Sequence, residues 1–123
     1  FIYKGKKKEP HQEVLDYVEK SIKQRDAELT KEQIQDRYLS RFVNEALICL
    51  QEGILKSPAD GDLGAVFGTG FLPFTGGPFR MIDAVGAQLY ADKLSRLADE
   101  HGDHFAPAQL LLDHAKAGTK FHP

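Results

Sequence analysis

Apolar residues recur at helical spacing along most of this chain. The strongest run is Ile34, Tyr38, Phe42, Ala46 and Leu50, four apart, with Leu39, Val43 and Leu47 beside them. Such a run predicts a long central helix with one broad apolar face, opened by the capping-box spacing of Thr30 and Gln33 and stopped by Gly53. Upstream, Val14, Leu15, Val18 and Ile22 predict an amphipathic helix from Pro10 to about Arg25 whose narrow stripe needs a partner surface. Downstream, Ser57-Pro58 supplies an N-cap and a first-turn proline, and Leu63, Val66 and Phe67 a short apolar face before Gly68. Gly61 and Gly64 weaken that helix, either as tolerated defects or as places where another helix comes close. Gly76-Gly77-Pro78 starts a short helix through Val85, closed by Gly86. Tyr90, Leu94 and Leu97 mark another to about His101, ended by Gly102. Pro107 opens a last helix carrying Leu110, Leu111, Leu112 and Ala115, and Gly118 leads into an irregular tail. Six helical segments and no convincing strand predict an all-α fold.

Between the third and fourth helices the pattern changes. In Gly68-Thr-Gly-Phe-Leu-Pro-Phe-Thr-Gly-Gly-Pro-Phe-Arg80, glycines and prolines alternate with Phe71, Leu72, Phe74 and Phe79. Glycine permits backbone shapes closed to other residues, while the large apolar groups cost free energy in water, so the stretch is expected to bury itself as a packed structural loop. At the other end, Phe1-Ile2-Tyr3 is a short β-prone run that reads as the frayed end of a preceding element. Lys4-Gly5-Lys6-Lys7-Lys8 reads as a solvated, charged linker.

A chain of 123 residues needs only one domain, and 41% hydrophobic residues are enough for a core. Sixteen basic against eighteen acidic residues leave a net charge of -2, which gives a nucleic acid nothing to bind. The single cysteine, Cys49, forms no internal disulfide, and its neighbours Ile48 and Leu50 suggest a buried thiol. No apolar run approaches the ~20 residues of a membrane-spanning helix. Because the chain begins at Phe1 it reads as a piece of something longer, and any targeting segment would lie upstream.

Candidate chemistry is sparse. His101, His104 and His114 with Asp99, Asp103 and Asp113 are the only group of metal-ligand types near the C-terminus, but Gly102 between the first two histidines breaks the helical register that zinc ligands use. Ser40, Ser57 and Cys49 lie in no nucleophile motif. The glycines 68, 70, 76 and 77 form neither a P-loop nor a dinucleotide fingerprint, although the Gly76-Gly77 helix start could expose amides to a phosphate. Arg41, Asn44 and Glu45 sit among apolar neighbours on the central helix. They either satisfy the backbone of the glycine-rich loop or line a site, and the structural role is preferred. Asp83 is expected to serve a neighbouring helix terminus in the same way.

Three motifs then read together: Arg41-Phe-Val-Asn-Glu-Ala-Leu-Ile-Cys-Leu-Gln-Glu-Gly-Ile54, Gly64-Ala-Val-Phe-Gly-Thr-Gly-Phe71 and Gly76-Gly-Pro-Phe-Arg-Met-Ile-Asp83. In that order and separation they resemble the last domain of the α-subunits of mitochondrial trifunctional enzymes, within the multifunctional fatty-acid oxidation enzymes. The likeness runs from about Thr30 to Phe121. The resemblance implies a helical C-terminal domain of the 3-hydroxyacyl-CoA dehydrogenase type over 30–123, the second of two copies. Residues 1–29 would hold the tail of the preceding helical domain, the linker and the amphipathic helix. It further implies a mitochondrial location and a parent that joins an enoyl-CoA hydratase (a lyase) to an NAD-dependent dehydrogenase (an oxidoreductase). NAD and acyl-CoA would be bound upstream, and a thiolase β-subunit would be a partner. In single-copy relatives a site asparagine precedes an arginine on the central helix; here the matching pair is Asp36-Arg37, a departure from an active site. The resemblance therefore implies a non-catalytic packing domain, with no catalytic, cofactor or metal residue of its own, that supports the dehydrogenase part and could pair with itself when isolated. The alternative is a module that binds coenzyme A phosphates at Gly76-Gly77.

Overall fold

A computed structural model describes residues 2–5, 7–21 and 29–123, in two compact units, Phe1–Thr30 and Lys31–Pro123. In the first, β1 (Ile2–Lys4) and β2 (Lys7–Glu9) pair antiparallel with Tyr3 opposite Lys8, turning at Gly5, whose φ is 65°. The expected frayed end and solvated linker are thus a small hairpin. Gly5 supplies the left-handed turn residue that a tight hairpin favours. Helix α1 (Gln12–Ser21) follows, and its Val14, Leu15 and Val18 are exposed. Ile22 and the rest of the expected first helix to Arg25 lie outside the described residues.

The second unit is all-α: α2 (Lys31–Gln51), α3 (Pro58–Thr69), α4 (Pro78–Val85), α5 (Ala87–His101) and α6 (Gln109–Ala117), with single 3-10 turns at Pro73–Thr75 and Asp103–Phe105. With α1, the described residues contain six α-helices, as the periodicity predicts. Helix boundaries follow local chemistry. The Ser57 hydroxyl accepts the Asp60 N–H at 3.1 Å with Pro58 in the first turn, and the glycines at 70 and 118 end α3 and α6 in the left-handed conformation. Helix α3 therefore runs past Gly68. The last helix begins at Gln109 and not Pro107.

The core gathers Val43 and Leu47 of α2, Phe79 and Ile82 of α4, Tyr90 and Leu94 of α5, and Leu111 of α6. Phe121, from the tail, packs its ring 5.4 Å from Phe79 and stacks on His114 at 4.0 Å. The expected face of α2 holds over most of its length, with Val43 and Leu47 buried and Leu39, Phe42, Ala46 and Leu50 packed against the core, but Ser40 and Asn44 join the buried line while Ile34 and Tyr38 stand in solvent. The expected face of α3 is turned. On α3 the buried residues are Gly61, Asp62 and Ala65, and Leu63 and Phe67 point outward. In both cases a polar residue with a specific backbone partner takes the inner face, which hydrophobic periodicity cannot register. Gly61 is a site of close approach: a Cβ there would lie 2.4 Å from the Phe79 ring, whereas one on Gly64 would meet nothing within 4 Å. The glycine-rich loop is only half buried, with Phe71 and Phe79 inside and Phe74 exposed.

Candidate functional site

Every buried polar side chain on α2 and α3 that finds a hydrogen-bond partner serves the protein's own backbone or its tail. Asn44 donates Nδ2 to the Ala106 carbonyl at 2.8 Å and accepts the Ala108 N–H on Oδ1 at 3.0 Å. Arg41 donates to the His104 carbonyl and pairs with Glu45 at 3.8 Å, and Gln51 accepts the Leu110 N–H at 2.9 Å. These side chains clamp the connection between α5 and α6, not the glycine-rich loop as expected. The reason is that α6 begins without a side-chain cap of its own, so its amides draw on α2. Asp83 accepts the N–H groups of Phe121 and His122, each at 2.8 Å. It therefore holds the C-terminal tail and not a helix end.

Asp62 decides the question of the Gly76-Gly77 helix start. Only 4% exposed, it accepts the Phe79 N–H on Oδ1 at 2.8 Å and the His122 Nε2 on Oδ2 at 2.7 Å. A carboxylate at the start of α4 satisfies one orphan amide and complements the helix dipole. Pro78 has no N–H, and the Gly77 N–H is taken by Thr75 Oγ1 at 3.2 Å. A Cβ on Gly77 would sit 2.3 Å from Asp62 Oδ1, and φ there is 121°, so glycine serves the approach of this internal anion. Coenzyme A phosphate does not fit a position already filled by a buried carboxylate.

The other sequence candidates are dispersed. Ser57 caps α3 and Cys49 is half buried on α2. His101 pairs with Glu100 at 3.7 Å, the His104 ring packs 4.5 Å from Phe105, and His114 meets the Thr119 hydroxyl at 3.0 Å. Among the described residues no three histidine, cysteine, aspartate or glutamate side chains converge on a common point for a metal. Asp36 pairs with Lys93, and Arg37 lies over the Phe105 ring, 5.9 Å from its centre. Beside them, Ser40 and Tyr90 bury hydroxyls that lack a partner of ordinary hydrogen-bond geometry. Burial pushes the Tyr90 phenol well above its usual range; the nearby Ser40 hydroxyl opposes this and the Asp36 carboxylate adds to it.

A groove of about 490 Å³ runs between the first half of α2 and the glycine-rich loop, walled by Tyr38, Leu39, Phe42, Phe71 and Leu72, with Glu32, Gln35 and Asp36 also lining it. Phe42 and Phe71 support its floor, with ring centres 5.0 Å apart. Sequence reasoning missed Asp62, His122 and this groove. A usable signal for the first was an aspartate inside an otherwise apolar helix, followed by a Gly-Gly-Pro helix start in need of an anion.

Residues 34–121 match the family described as the 3-hydroxyacyl-CoA dehydrogenase C-terminal domain. The chain is also similar to proteins named fatty acid oxidation complex subunit alpha. It is 48% identical over 72% of its length to that of Shewanella loihica, 41% over 99% to that of Vibrio vulnificus, and 42% over 100% to that of Vibrio cholerae. It spans only 13% to 17% of the length of these relatives. All three are bacterial, and bacteria have no mitochondria. The mitochondrial location implied by resemblance is corrected on that finding, and the likeness to mitochondrial α-subunits gives way to the broader one, to fatty acid oxidation complex α-subunits.

Proposed function

Because this chain belongs to the family of 3-hydroxyacyl-CoA dehydrogenase C-terminal domains, we propose that it works as a non-catalytic packing domain within a longer fatty-acid oxidation polypeptide. Its partner there is the dehydrogenase part of the same polypeptide. NAD and acyl-CoA bind to that remainder, which joins an enoyl-CoA hydratase to the dehydrogenase, and a thiolase β-subunit completes the assembly. The observation that carries this reading is the commitment of Arg41, Asn44, Asp62 and Asp83 to internal backbone and tail partners, alongside an apolar face left in solvent. Such a domain needs structural polar groups and a surface to cover.

The test is a turnover assay of the purified 123-residue chain with a 3-hydroxyacyl-CoA and NAD. No reduction of NAD above the protein-free rate is expected; turnover that scales with protein concentration refutes the proposal. The coenzyme A alternative loses its support to Asp62. Titration with coenzyme A into the millimolar range is expected to give no heat and no shift of the Gly77 or Phe79 amides.

A further inference from the structure

The segment that follows α6 is held in the way a docked peptide is held. From Gly118 to Pro123 it forms neither helix nor strand, and Thr119, Lys120 and Pro123 are exposed. Phe121, only 6% exposed, packs against Phe79 of α4 and stacks on His114 of α6. Asp83 of α4 accepts two consecutive backbone N–H groups, that of Phe121 on Oδ1 and that of His122 on Oδ2. Asp62 of α3 accepts the His122 Nε2. A cavity of about 250 Å³, lined by Asp83, Gly86, His114, Thr119 and Lys120 with others, borders the segment, so its long-range contacts concentrate on residues 121 and 122.

Those contacts define what the site reads. A carboxylate that grips two successive amides rejects proline at either position, because proline has no N–H to give. The ring surfaces of Phe79 and His114 select an aromatic side chain at the first position, and the Asp62 carboxylate selects a hydrogen-bond donor at the second. Two carboxylates repel an anionic ligand, and a purely apolar one brings them no donor. The site also needs an occupant. Without one, Asp62, 4% exposed, would keep the Phe79 N–H alone, and Asp83 would lose both tail amides. A buried carboxylate short of partners is costly.

We propose that Asp62, Asp83, Phe79 and His114 form a peptide-recognition site whose resident ligand is the chain's own Phe121-His122. Its ligand class is an extended peptide with an aromatic residue followed by one that carries a side-chain donor, and the same segment supplied from a separate molecule fills it. Asp83 reads the backbone, the two rings read the aromatic side chain, and Asp62 reads the donor.

A synthetic peptide of residues 117–123 is the probe. In the 123-residue chain, Phe121→Ala removes the anchor of the tethered segment and leaves all four receptor residues in place. The peptide is expected to bind this variant saturably and to shift the Phe79 and Ile82 amides. Binding to the parent chain is expected to be weaker by about tenfold or more, because the tethered tail competes at the ~mM effective concentration of a short link. Peptides carrying Phe121→Ala or His122→Pro are expected to lose about tenfold or more in affinity for the variant. A folded Phe121→Ala chain that ignores the peptide into the millimolar range overturns the proposal, and so do altered peptides that bind as well as the original. Native-state hydrogen exchange of the parent chain decides independently, even where Phe121→Ala does not fold. The Phe121 and His122 amides are expected to exchange faster than those of Leu47 and Leu94 by about tenfold or more, with a weaker dependence on denaturant. Tail amides that exchange only through global unfolding would make the segment an inseparable part of the core, and the proposal fails.

Discussion

Two glycines three residues apart on α3 should respond to alanine with opposite signs. In a helix interior alanine is favoured over glycine by about 1 kcal/mol, because glycine gives up more backbone freedom on folding. At Gly64 that is the whole effect, since the added methyl meets nothing within 4 Å. At Gly61 the methyl carbon would lie 2.4 Å from Phe79 Cε2 and 2.9 Å from Leu55 Cδ1. Carbon atoms rest about 3.5–4.0 Å apart, so the Phe79 ring would have to retreat by roughly 1 Å. That ring is fully buried and backed by Phe121 at 5.4 Å. Overpacking of this kind costs about 1–3 kcal/mol and sometimes more, which outweighs the propensity gain. Gly61→Ala is therefore expected to lower stability by about 1–2 kcal/mol and Gly64→Ala to raise it by about 1 kcal/mol, each kcal/mol moving Tm by about 4 °C. Thermal and denaturant unfolding of the two variants checks both signs. A cycle with Phe79→Leu adds a control: removing the obstructing ring edge should make Gly61→Ala less harmful than it is alone. A Gly61→Ala protein as stable as the parent would refute the close-packing argument.

Other expectations concern the polar clamps. Asn44→Ala should cost about 2–4 kcal/mol, because it strands the Ala106 carbonyl and the Ala108 N–H in a buried place, and urea unfolding measures it. Asp83→Ala removes two charge-assisted bonds to the tail. It should free Phe121 and His122 to exchange at near-unfolded rates while lowering global stability by about 2 kcal/mol, seen as lost protection confined first to the tail. Burial raises the Tyr90 phenol above the usual value near 10, so the folded protein holds that proton after the unfolded chain has released it. Stability should therefore fall as pH rises through about 10, and ultraviolet titration should show the Tyr90 phenol ionising later in the folded chain than in the unfolded one. A Tyr90→Phe protein should lose that part of the alkaline decline.

The helices and most of their ends were legible in the linear pattern because they depend on near neighbours, although α3 runs past Gly68 and α6 starts two residues after Pro107. Gly53, Gly86, Gly102 and Gly118 stop chains of apolar residues, and Ser57-Pro58 starts one, through bonds made within a few residues. The family was legible for a related reason. Three motifs in fixed order constrain the text more tightly than any contact does, and residues 34–121 match that family. The hairpin at Ile2–Glu9 escaped notice because its lysines read as a solvated run, and nothing local says that such a run pairs with the apolar residues before it.

The amino-acid order by itself determined where the helices lie, that they are amphipathic, and which family they join. Only the tertiary structure decided which way α3 faces and what the polar residues of α2 and α3 do. Periodicity counts apolar side chains, and on α3 it favoured Leu63 and Phe67, whereas the fold turned Asp62 inward to meet an amide 17 positions along the chain and a histidine 60 positions along. A buried carboxylate is tolerable only where its partners converge, and that convergence belongs to the packed state. The same turn put Leu63 and Phe67 in water.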